Sequence, residues 1–75
     1  MAMKWRIYFR DRGGKPGYWD LSDKVQEQAI RDFRLCWPDM EPTEVVALKA
    51  VRIPRVGLRY TPVGERTPID QQGLV

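Results

Sequence analysis

The chain contains no histidine and a single cysteine, Cys36. Zinc sites of Cys/His type, histidine acid–base catalysis and any Cys–His nucleophilic pair are therefore excluded. Cys36 has no partner for an intramolecular disulfide and reads as a small buried hydrophobe on a helix. No apolar run approaches the roughly 20 residues a membrane helix needs. The N-terminal segment carries charge at positions 4, 6 and 10, so it does not read as a signal peptide, and the default expectation is a cytoplasmic protein with no membrane contact. The segment "GGKPG" has glycines and a lysine, but it lacks the spacing of a phosphate-binding loop and has no Ser or Thr after Lys15. "RGG" at 12–14 resembles one unit of an RNA-binding tract, and its plainer reading is a hairpin tip. The carboxylates Asp20, Asp23, Glu27 and Asp32 fall at the start or on the outer face of a predicted helix, where they favour its dipole and solubility. Nothing forms a catalytic or metal-binding set, so neither an enzyme nor a cofactor is expected.

What is present is one small domain's worth of pattern. At 75 residues a chain buries only about 60% of the surface it exposes when unfolded. Net charge is +3, and its distribution is uneven: residues 1–17 sum to +4, residues 18–44 to −4 and residues 45–75 to +3. If the two basic ends meet, they form a positive face opposite an acidic one.

The strongest secondary-structure signal is the alternation over residues 3–11, "MKWRIYFRD". Trp5, Ile7 and Phe9 point to one side; Lys4, Arg6, Tyr8 and Arg10 point to the other. "DRGGKPG", with three glycines and a proline, breaks the strand into a mobile basic tip. "YWDL" returns as a second strand over 17–21, with Trp19 and Leu21 inward. Ser22 or Asp23 then caps a helix, Asp23 with Gln26 making a weak capping box. Val25, Ala29, Ile30, Phe33, Cys36 and Trp37 fall within an arc of about 140°, a normal core stripe. Leu35 is the apolar exception on the outer face, and Pro38 ends the helix near Cys36. Residues 44–53, "EVVALKAVRI", form a further strand that is apolar on both sides. Residues 56–61 are a candidate short fourth strand. Beyond Pro62 no core pattern remains, so residues 1–61 are expected to form a single compact domain and residues 62–75 a mobile tail.

The fold predicted is α+β, ββαβ with an optional last strand. It is a three- to four-stranded antiparallel sheet of order 2-1-3 with one helix packed on one face. The uncovered face of the central strand would then display Lys4, Arg6, Tyr8 and Arg10. Arg12 and Lys15 extend that patch at the tip, and Lys49 or Arg52 extends it across strand three. A cationic row around one aromatic suits a phosphate backbone with a stacking platform. It also suits an acidic protein surface, or a solvated sheet face on which long side chains cover their neighbours.

"KWRIYFRD", "VQEQAIRDF" and "EVVALKAVRI" together resemble, in architecture, the small phage-encoded anti-CRISPR inhibitors of type I systems. That group has no shared motif, so no residue role follows from it. The resemblance implies a non-enzymatic protein that blocks or diverts a CRISPR surveillance complex. The uneven charge and the lack of a catalytic set point to a protein that docks through a charged sheet face on a nucleoprotein partner. The alternative is a stand-alone module of a phage or mobile element that binds DNA or RNA directly. A structural subunit lending an edge strand to a partner's sheet is a third reading.

Overall fold

A computed structural model describes residues 3–69. The elements follow in the order β1 (Met3–Arg10), β2 (Pro16–Asp23), α1 (Gln26–Cys36), β3 (Glu41–Ile53) and β4 (Gly57–Pro68). The sheet is antiparallel throughout, with strand order β2-β1-β3-β4. The 2-1-3 core of the expected order is present, and β4 is added at the outer edge of β3. Among the described residues no helix is long and apolar enough to cross a membrane.

One face of the sheet carries the main core. The odd positions of β1 lie under α1, and Trp5, Ile7, Ala29, Ile30, Phe33, Val45 and Ile69 form its buried cluster. Phe9 packs at the edge of this cluster with its ring 5.5 Å from that of Phe33. Its cross-strand partner is Gly17, where a Cβ would stand 2.9 Å from the Phe9 ring. Glycine at 17 is thus the space in which Phe9 lies.

The helix begins later than its caps suggest. Asp23 belongs to β2, and its carbonyl accepts a hydrogen bond from the Trp5 indole at 3.0 Å. The N-cap position falls to Val25, with no side-chain cap. The other end is as expected: the Trp37 N–H bonds back to the Phe33 carbonyl at 2.8 Å, and Pro38 follows. The core stripe is narrower than the sequence suggests. Cys36 is exposed, not buried, and Trp37 is partly exposed, its ring set edge-on to Trp19 at 5.1 Å. The last turn of α1 sits at the edge of the core, where Trp37 meets Trp19 of β2 instead.

The largest correction concerns the C-terminal region. The fourth strand is not a short stretch over 56–61, and residues 62–69 are not a tail: β4 runs to Pro68, and Ile69 is 1% exposed in the core. Residues 70–75 of the expected tail lie outside the described residues. A bulge in β3 holds this end in place. Pro42 cannot donate to a ladder, and the β1–β3 register shifts between Tyr8 and Phe9, leaving Thr43 as the extra residue. Its hydroxyl donates to the Tyr8 carbonyl at 3.3 Å, and its carbonyl accepts the Ile69 N–H at 2.9 Å. Ile69→Ala should therefore cost about 2–4 kcal/mol, read by urea denaturation. Deleting residues 62–75 should abolish the cooperative melt; an unchanged melt would mean this segment is not structural.

Candidate functional site

Lys4, Arg6, Tyr8 and Arg10 emerge from β1 on the face away from α1, as the alternation predicts. That face is not a bare charged surface. Val46 and Leu48 of β3 lie on it, at 3% and 5% exposure, although α1 covers the opposite side. The cations and aromatics of β1, β2 and β4 form their cover.

The pairing register places Arg6 opposite Asp20 and Tyr8 opposite Tyr18. Arg6 makes a two-pronged contact with Asp20: its Nε donates to Oδ1 at 2.8 Å and its Nη2 to Oδ2 at 3.0 Å. The same guanidinium lies 4.2 Å from the centre of the Tyr18 ring. Its hydrogen bonding to the Asp20 carboxylate is the chief reason that the Arg6 guanidinium holds its proton even more firmly than an ordinary arginine. Two longer connections cross β3 in opposite directions. Lys4 of β1 places its ammonium 5.2 Å from the Tyr60 ring of β4, and Arg66 of β4 lays its guanidinium 3.7 Å from the Tyr8 ring of β1. Arg66 also meets Glu44 at 3.5 Å. Its position depends on a second bulge, where Val63 pairs with Ala47 and Thr67 with Val45, so that three residues of β4 face one of β3. Gly64 opens that bulge at φ +78, a conformation glycine adopts without strain.

The hairpin tip is closed rather than loose. Oδ1 of Asp11 accepts the N–H groups of Gly13 and Lys15, both at 2.9 Å. Arg10 donates to the Gly14 carbonyl at 3.3 Å and stands opposite Glu41 in the register. Arg12 reaches Asp39 at 3.1 Å in an exposed pair. The Lys15 ammonium has no ion-pair partner among the described residues.

Lys49 and Arg52 do not extend the stripe as one patch. β1 pairs with β3 only as far as Leu48, whereas β3 and β4 stay paired to Ile53 and Gly57. Residues 49–61 thus project as a two-stranded arm. Arg52 and its partner Leu58 lie on the face shared with Arg6; Lys49, Val51 and Arg59 lie on the other. The tip is a turn closed by the Val56 N–H on the Ile53 carbonyl at 3.1 Å, with Pro54 leading and Arg55 at φ 68. A turn of this kind prefers glycine at the second central position. Holding arginine there costs on the order of 1 kcal/mol.

Arg55 and Arg59 are the cations that sequence reasoning passed over. The signal was available: residues 45–64 hold Lys49, Arg52, Arg55 and Arg59 and no acid. All four are exposed, and none has an ion-pair partner among the described residues. Among the described residues no group of three metal-ligating side chains could hold an ion. No protein-family model, curated protein or solved structure matches the chain.

A second titratable feature lies at the start of the helix. Oδ2 of Asp23 is buried with no hydrogen-bond donor among the described residues. Side-chain hydrogen bonding with Asp32, then burial, then the Asp32 charge, raise the Asp23 carboxyl above its usual range. A raised carboxyl stabilises the fold below its unfolded value of about 3.9 and loses that contribution as pH climbs through the folded value. Asp32→Asn offers a permanent donor, so it should raise the melting temperature at pH 7. The advantage should shrink towards about pH 3.5; an equal gain at both pH values would count against a raised Asp23 carboxyl. Arg6→Ala, which removes a half-buried ion pair and a ring contact, should cost about 1–2 kcal/mol in urea denaturation. A neutral result would return Arg6 to the pool of free surface charge.

Proposed function

We propose that the protein is a small non-enzymatic binding protein that recognises nucleic acid by its phosphate charge, whether free or held in a nucleoprotein complex. The observation that supports this reading is where uncompensated charge gathers. Lys4, Arg6 and Arg66 are engaged with rings and carboxylates of the chain itself. Lys49, Arg52, Arg55 and Arg59 are not, and they share one projecting element. The docking charge therefore belongs to the arm more than to the sheet face, with Lys15 as a second contribution from the opposite hairpin.

An anti-CRISPR-type inhibitor is the form of this reading in which the nucleic acid is already bound by a protein complex in the cytoplasm. A stand-alone regulator of a mobile element is the form in which it is free. A salt titration of the isolated protein separates them. Each phosphate neutralised on B-DNA contributes about −0.9 to the slope of log K against log salt. Four arm cations should give a slope between about −3 and −4 on duplex DNA, followed by fluorescence anisotropy. No binding to DNA or RNA at about 50 mM salt would remove the stand-alone module.

A further inference from the structure

Resting on that reading, we propose that the β3–β4 arm inserts tip-first into the major groove of duplex DNA, its two faces turned towards the two phosphate walls. The arm's charge is not one-sided. Lys49 and Arg59 flank Val51 on one face, Arg52 sits beside Leu58 on the other, and Arg55 occupies the turn. A flat acidic surface can satisfy only one face of such a ribbon. A groove with anionic walls satisfies both faces and the tip together.

Dimensions select the groove. The B-DNA major groove, about 12 Å wide, admits a two-stranded ribbon, whereas the minor groove is about 6 Å wide. Five paired residues of β3, 49–53, extend about 17 Å, more than the depth of about 8.5 Å. In duplex RNA the major groove is deep and narrow and closed to side chains. Single strands are bound largely by stacking on aromatic rings. Here Tyr8, Tyr18 and Tyr60 already carry Arg66, Arg6 and Lys4, and the arm's other paired residues include no aromatic.

The tip supports the same assignment. Arg55 stands where glycine would be unstrained, and strain of this kind is found where a side chain serves a ligand. Val56 and Leu58 are exposed beside it. They supply an apolar end suited to base edges such as the thymine methyl.

The test is anisotropy with a mixed-sequence duplex DNA, the same sequence as duplex RNA, and each single strand, joined to guanine-N7 methylation protection in the major groove. Expected are binding to duplex DNA at least tenfold tighter than to the other probes, and protection of N7. Arg52→Ala with Arg59→Ala should weaken DNA binding at least tenfold and lower the salt slope by about 2. Arg55→Gly relieves the backbone, so any loss of binding it causes is not a folding defect; it should weaken binding and leave or raise the melting temperature.

Equal binding of single strands or duplex RNA, or unprotected N7, overturns the groove assignment. Duplex binding unchanged by the arm variants overturns the arm while leaving phosphate recognition standing. Absence of binding to every probe overturns the groove assignment together with the stand-alone form of the reading. If the arm instead holds a second copy of the chain, sedimentation will show a dimer that Leu58→Ala dissociates, and that too overturns the proposal.

Discussion

Strand β3 must bury apolar side chains on both of its faces, and the chain has one helix with which to do it. Val45 and Ala47 face α1, while Val46 and Leu48 face away from it. Leaving the second pair in water would forfeit roughly 1.5–3 kcal/mol for each side chain, a large share of what so small a domain commands. The cover comes from the long side chains of the strands that flank it. Lys4 and Arg66 cross β3 from opposite sides to reach Tyr60 and Tyr8. Their aliphatic stems lie over the strand while their charged heads end on rings or, for Arg66, also at Glu44.

This constraint explains why β4 has to be long. A strand ending at Thr61 would supply Tyr60 but not Arg66, and the cover would be incomplete. The bulge around Gly64 turns Arg66 to the correct side, and the Thr43 bulge receives Ile69 on the other. β4 and the residue that follows it thus contribute to both layers: Arg66 closes the outer one and Ile69 the inner. Individually the ring contacts contribute about 0.5–1 kcal/mol each, and the Arg6–Asp20 pair is comparable. Their value lies in being joined across all four strands, which fixes strand order as well as register.

The features legible in the sequence were those with a local period. Trp5, Ile7 and Phe9 alternate, Ala29, Ile30 and Phe33 repeat at helical spacing, and the middle of β3 is apolar on both sides; each lies where its pattern places it. What was illegible depended on partners far along the chain. Ile69 is one apolar residue after two prolines, and only the carbonyl of Thr43 makes it core. Asp23 looks like a cap because the demand of the Trp5 indole on its carbonyl is invisible locally. Lys4, Arg6, Tyr8 and Arg10 were placed on the correct face, but their occupancy was not: Asp20, Tyr18, Tyr60 and Arg66 come from two other strands. The run of cations without acids over 45–64 was readable and was masked by its prolines and glycines, which suggested loop and tail.

The separation of roles among the arginines bears on function more than the net charge does. An arginine whose guanidinium already meets a carboxylate and a ring must give up both contacts to serve a phosphate. For Arg6 that exchange would uncover Val46 as well. An arginine on a projecting ribbon gives up only hydration and side-chain freedom. Charge on the arm is therefore the charge most readily transferred to a partner, even though the sheet face displays the more conspicuous row. The same logic accounts for the tip. A turn optimised for stability alone would place glycine at position 55, and the chain instead holds a cation there at the tip of the arm.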